Sequence, residues 1–240
     1  MTGMIALHGG GEYIGGDEDA TDLLLDAALT VAGSATPRVV ILPTAVARHR
    51  PEIAIANGRR AFEQAARRKG RLVDVGAVRL LRREDALTAP RELVDRLAGA
   101  HLIHLPGGDP DLIPAILPAT PAWAAIRQAL SAGACLAGAS AGAMAMADRV
   151  WTPAGPLDGL GLLPGYAVLP HFSSQRLQAW RREIDGDREL RWIGIDEQSI
   201  LIGRPGSSWR VGGRGSVRVF EAGTDVPAWQ SQAGEPIELP

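Results

Sequence analysis

The sequence predicts an α/β fold, a three-layer α/β/α sandwich around a mainly parallel sheet, from two observations. Short β-rich runs alternate with amphipathic stretches through the N-terminal half, strand first in each pair. The runs are mostly apolar throughout instead of alternating, as strands are when helices cover both faces of a sheet. Met4 to His8, Arg38 to Pro43, Leu72 to Val75, His101 to Leu105 and Ala134 to Ala139 are the five predicted strands. Between them, Asp22 to Val31 carries Leu23, Leu24, Ala27, Ala28 and Val31 on one stripe. Ile53 to Arg68 and Arg91 to Leu97 share that period, and a further helix starts at Pro121 and ends before Gly133.

Beyond residue 140 the pattern changes. Pro153, Gly155, Pro156, Gly159, Gly161, Pro164 and Gly165 are too closely spaced for long helices and predict a loop-rich, site-forming stretch. Arg191 to Ile195, Ser199 to Ile202, Trp209 to Val211 and Val217 to Phe220 then read as short strands closing the sheet, antiparallel in part, with turns at Gly206 and Gly212-Gly213. From about residue 222 the chain is polar and proline-bearing and is expected to be a surface tail. No linker-like segment divides the 240 residues, so one domain spanning 1–240 is expected.

Composition narrows the partners. Hydrophobic residues make up 46% and charged residues 22%, and the net charge is −2, which offers no electrostatic attraction to nucleic acid or a membrane surface. A small molecule or peptide is the expected partner. The single cysteine, Cys135, excludes an intrachain disulfide, and no leader-like segment opens the chain, so a cytoplasmic setting is expected. No apolar run approaches the ~20 residues that cross a bilayer. No metal-ligand spacing stands out and no cofactor is called for. Arg67-Arg68-Lys69 and Arg82-Arg83 read as solvated helix ends.

The strongest chemical signal is Gly138-Ala139-Ser140-Ala141-Gly142, which follows a predicted strand and precedes a short helix over Ala143 to Ala147. A serine on a sharp strand-to-helix turn needs small neighbours, because its backbone is strained and strand and helix pass closely. A helix starting there also points free N–H groups at an oxyanion. Ser140 needs a base within hydrogen-bond reach. His101 and His104 lie in an apolar strand, His8 ends the first strand and His49 sits in an arginine-rich loop. His171 follows the loop-rich stretch in Leu169-Pro170-His171-Phe172-Ser173, where a proline and an aromatic can aim its ring, and it is the candidate base.

A carboxylate should orient that imidazole, and Asp158, Asp196 and Glu197 compete. Glu197 follows a strand end, where sites in α/β folds gather. Asp158, before a glycine, also suits a turn. Gly107-Gly108-Asp109 ends the fourth strand, where an N–H free of a Cβ can complete an oxyanion hole. Gly9-Gly10-Gly11-Glu12 ends the first strand without the spacing of a dinucleotide loop.

Taken in order, Gly9-Gly10-Gly11-Glu12, Gly107-Gly108-Asp109, Gly138-Ala139-Ser140-Ala141-Gly142-Ala143, His171-Phe172 and Gly194-Ile195-Asp196-Glu197 resemble the peptidase E and cyanophycinase family of serine peptidases, over roughly residues 4 to 220. The resemblance implies a fold similar to class I glutamine amidotransferases. It also implies Ser140 as nucleophile, His171 as base, Gly108 with the Ala141 N–H as oxyanion hole, and Glu197 as the favoured third member. Those amidotransferases carry cysteine where Ser140 stands, which argues against ammonia transfer from glutamine. The implied reaction is hydrolysis of amide bonds next to aspartate, in Asp-Xaa dipeptides or in β-Asp-Arg units of cyanophycin, and a homodimer is implied.

Leu169-Pro170 replaces the Asp-Gln typical of cyanophycinases before the histidine, while Arg176, Arg181 and Arg182 follow it as they do there. Gly107, Asp109 and Arg176 are the expected substrate contacts, with Arg176 facing a substrate carboxylate. An inactive α/β binding protein, or an esterase with the same triad logic, are the alternative readings.

Overall fold

The computed structural model describes residues 2–186, 190–237 and 239. Five parallel strands form one side of an eight-stranded sheet, out to its edge at β3: β1 (Met4–His8), β2 (Arg38–Ile41), β3 (Asp74–Ala77), β4 (Leu102–Leu105) and β5 (Cys135–Ala139). They stand in the order β1-β5-β4-β2-β3. The antiparallel strands β10 (Ser199–Gly203), β11 (Trp209–Gly213) and β14 (Pro236–Ile237) continue the sheet beyond β1.

The period of two along β1 makes the three layers. Ala6 faces α1 (Glu18–Ala32) and α2 (Pro51–Arg68) through Leu24, Leu25, Ala28 and Phe62, while Ile5 and Leu7 join the opposite core with residues of α4 (Arg91–Ala98) and α6 (Pro121–Ser131). Each helix therefore needs only one apolar stripe, which is what its sequence carries. Two further short helices, α3 (Arg83–Leu87) and α5 (Leu112–Ile116), complete the second layer. Among the described residues no helix is long and apolar enough to cross a membrane.

The stretch expected to be loop-rich is instead strands and a helix. β6 (Ala147–Thr152), β7 (Gly155–Asp158), β8 (Leu163–Leu169), β9 (Arg191–Ile195), β12 (Ser216–Phe220) and β13 (Pro227–Gln232) form a second, six-stranded sheet. Its glycines and prolines punctuate strands: Thr152 pairs with Gly155 across a tight turn, and Pro156 lies on the edge strand β7, where no ladder N–H is missed.

Only β10 and β11 of the four expected closing strands join the main sheet, because β9 and β12 pair with each other in the second. The expected surface tail is also corrected. β13 pairs along β12 and β14 along β11, so backbone pairing at two sheet edges orders a segment with little apolar pattern. Helix α8 (Ser174–Gly186) went unforeseen, although Ser173 caps it, its Oγ accepting the Arg176 N–H at 3.2 Å. Tyr166, Val168, Ile193 and Ile195 of the second sheet enter the same core as Ile5 and Leu7, so the two sheets share one apolar interior.

Candidate active site

β1, β4 and β5 run parallel in register, His8 beside Ala139 and Leu105 beside Gly138, so all three end at one rim. Ser140 follows β5 and opens α7 (Ala141–Ala145). Its φ of 49° and ψ of −113° are a strained turn for an L residue, held by its own N–H on His8 O at 2.9 Å and by Met144 N–H on its carbonyl at 3.0 Å. The flanking glycines are required by contact: a Cβ on Gly138 would strike the Gly142 carbonyl, and one on Gly142 would strike Leu105 O. This is the close strand-helix crossing that the local sequence predicts.

The second sheet brings the other two residues. β8 and β9 are parallel neighbours, Leu169 beside Gly194, and His171 and Glu197 lie just past their C-terminal ends. His171, with φ 51°, donates its backbone N–H to Gly9 O at 2.6 Å. Phe172 locks the turn, its N–H bonded to Ile195 O at 2.9 Å and its ring lying over Gly194, where a Cβ would collide. The imidazole packs against Gly10 (φ 112°), where an added Cβ would strike the ring.

In this setting His171 Nε2 is 2.9 Å from Ser140 Oγ, and His171 Nδ1 is 2.7 Å from Glu197 Oε1. The His171 side chain is 24% exposed and that of Glu197 is 64% exposed. A proton can pass from the hydroxyl to the ring while the carboxylate fixes the tautomer. The competing carboxylates point elsewhere. Asp196 accepts the Ser216 N–H at 2.9 Å and pairs with Arg218 at 2.6 Å, and Asp158 pairs with Arg149 on the exposed edge of β7.

A pocket of about 430 Å³ opens beside the serine, lined by Gly108, Ser140, Ala141 and His171, by apolar Met144, Trp151 and Trp180, and by Arg176. Ala141 is the first residue of its helix, so its N–H has no intrahelical acceptor. No acidic residue lines the pocket among the described residues. The side chains of Arg181 and Arg182 lie outside the described residues.

A family model for peptidase family S51 matches residues 5–207, which takes in the serine, the histidine and the glutamate. The chain belongs to peptidase family S51. Two relatives named cyanophycinase, from Synechococcus elongatus and from Thermosynechococcus vestitus, are each 29% identical over 143 residues, 54% of this chain and 44% of the relative. The matched region is thus less than half of those proteins' length. A crystal structure of a peptidase from an acI-B1 actinobacterium is similar over 100% of this chain and 98% of that one, with TM-score 0.80 and 29% identity. A putative peptidase E protein from Listeria monocytogenes EGD-e shares the fold at TM-score 0.62 and 18% identity, covering 89% of this chain and 98% of that one.

Around the S51 site the remaining candidates divide. Gly107 and Asp109 flank the pocket without lining it: the Gly107 N–H is bonded to Glu12, and the Asp109 carboxylate faces His49 at 3.2 Å and Arg48 at 3.5 Å. His8 is buried and bonded to Asp17 at 2.6 Å. His104, also buried, meets the Tyr13 hydroxyl at 2.6 Å; burial drives its pKa down to about 3, with the nearby His8 adding to the effect. His101 accepts the Arg38 N–H through Nδ1, and its pKa is lowered by partial burial and by Arg38.

Sequence reasoning missed the role of Gly10 as the seat of His171 and the apolar walls Trp151 and Trp180. The Gly9-Gly10-Gly11 run at the end of a central strand was the available signal for the first. Nothing local marks the second, because the two tryptophans come from different elements.

Proposed function

We propose that this chain is a serine peptidase that hydrolyses amide bonds adjacent to aspartate in small peptides through Ser140, His171 and Glu197. The observation that carries the proposal is the continuous hydrogen-bonded line from Ser140 Oγ through the His171 ring to Glu197. His171 removes the hydroxyl proton as Oγ attacks the scissile carbonyl, and Glu197 stabilises the imidazolium that results. The Gly108 and Ala141 N–H groups receive the oxyanion. His171 then returns the proton to the departing amine, and water attacks the acyl-enzyme by the same route in reverse.

Arg176 supplies the acidic preference. Among the described lining residues it is the fixed positive charge, and its guanidinium can take a substrate carboxylate in bidentate fashion. Among the described lining residues Arg176 offers a partner for a substrate carboxylate and none offers one for the guanidinium of a β-Asp-Arg unit, and on those residues Asp-Xaa dipeptides are the favoured substrates.

A panel of Asp-Xaa dipeptides, β-Asp-Arg, cyanophycin and a p-nitrophenyl ester tests this, with wild type and Arg176→Ala compared. Cleavage of Asp-Xaa is expected, with KM raised at least ~10-fold in the variant and kcat little changed. An unchanged KM removes Arg176 from recognition, and turnover of the ester alone replaces the peptidase assignment with an esterase.

A further inference from the structure

Three successive backbone amides follow β4, and their partners differ. The Gly107 N–H is held by Glu12 Oε1 at 2.7 Å and the Asp109 N–H by Ala45 O at 2.8 Å. The Gly108 N–H between them has no acceptor among the described residues, and Gly108 lines the pocket beside Ser140. Fixing the amides on either side fixes the peptide plane in the middle. Gly108 has φ 154° and a Cβ there would strike Ala45 O, so the turn has little room to relax around a substituted residue.

Glu12 belongs to the same packed layer as the nucleophile. A Cβ on Gly107 would lie 3.1 Å from Glu12 Oε1 and 3.1 Å from Ser140 Cβ. The backbone turn that carries Glu12 is held from two directions. It is closed by the Tyr13 N–H on Asp17 Oδ2 at 2.9 Å, and the Tyr13 hydroxyl is tied to His104 on β4, the strand that delivers Gly107. A negative charge this close to a developing oxyanion opposes it electrostatically, so the benefit of Glu12 has to be geometric.

We infer, on the reading of Gly108 as an oxyanion donor, that Glu12 is a positioning residue whose carboxylate clamps the Gly107 amide and thereby aims the Gly108 N–H at the oxyanion. Glutamine at this position keeps an Oε1 acceptor and removes the charge. Alanine removes both.

The test compares wild type, Glu12→Ala, Glu12→Gln and Ser140→Ala. It measures kcat and KM on the best-cleaved substrate of the panel, the rate of Ser140 labelling by a fluorophosphonate, and thermal melting as a control for folding. Glu12→Ala is expected to lose about 10²-fold in kcat and in labelling rate, with KM within about threefold, since weakening one oxyanion donor approaches the effect of deleting it. Glu12→Gln is expected to stay within about threefold of wild type in kcat, KM and labelling.

Wild-type rates in Glu12→Ala overturn the inference, and so does a Glu12→Gln enzyme as slow as Glu12→Ala. A raised KM confined to Glu12→Gln and Glu12→Ala also overturns it, pointing to a salt bridge with a substrate ammonium. If Glu12→Ala unfolds, Glu12→Gln decides alone, because the inference requires it to be active. Wild type that is neither labelled nor active, or Ser140→Ala that turns over like wild type, removes the peptidase proposal as well.

Discussion

Asp196 and Glu197 are neighbours in sequence with opposite tasks in the structure. Asp196 is spent on the Ser216 N–H and Arg218, inside the join between β9 and β12, whereas Glu197 reaches out of the turn to His171. The Glu197 side chain is 64% exposed, so its hydrogen bond to His171 adds little to folding stability, and under the proposed mechanism its contribution lies in ring orientation. Glu197→Gln is therefore expected to lower kcat by about 10²-fold with melting temperature unchanged, less than the loss at a buried triad carboxylate. Asp196→Asn is expected to do the reverse, lowering melting temperature and sparing kcat. Steady-state kinetics and thermal melts on the two variants check this. The choice between these carboxylates was not legible from residues alone, since a strand end turns adjacent side chains to different sides and the turn at Gln198 (φ 54°) has no glycine to mark it. Ser140 and His171, which the structure brings within hydrogen-bond reach, each carry a local mark in the sequence, because a serine elbow needs its glycines nearby in the chain and a histidine between proline and phenylalanine is locally aimed.

At the scale of elements, β1, β2, β4 and β5 were readable because strands covered on both faces are mostly apolar. β3 came out shifted, at Asp74–Ala77, since Leu72 is 80% exposed and pairing with β2 begins at Asp74. Of the second sheet, β9 and β12 were readable as strands but assigned to the main sheet, whereas β6, β7, β8 and β13 were not, because they contain residues that usually end strands, which edge positions and cross-strand pairing tolerate there. β4 carries a consequence for stability. His104 has a folded pKa of about 3 against an ordinary value of 6.5, because burial disfavours its charged form. As pH falls below 6.5 the unfolded chain takes up a proton that the folded chain refuses. Stability present above pH 6.5 is thus lost progressively down to about pH 3, by an amount on the order of a few kcal/mol. Urea unfolding at several pH values should show a shallower slope between pH 6.5 and 4 for His104→Gln than for wild type. Equal slopes would show that burial of this imidazole is not linked to proton uptake.

For the molecule as a whole, the site lies where the two sheets meet. The main sheet supplies Ser140 at the end of β5 and the turns after β1 and β4, and the second sheet supplies His171 and Glu197 past β8 and β9. The 2.9 Å between Ser140 Oγ and His171 Nε2 therefore depends on the shared core that joins the sheets, and on the His171 N–H to Gly9 O bond that crosses between them. The most direct measurement is hydrolysis of the favoured aspartyl dipeptide by wild type and Ser140→Ala, with fluorophosphonate labelling followed by peptide mass analysis. The account predicts turnover by wild type, a loss of at least ~10³-fold in the variant, and a label on Ser140 alone. Equal turnover by the two proteins, or a label on another residue, would contradict it.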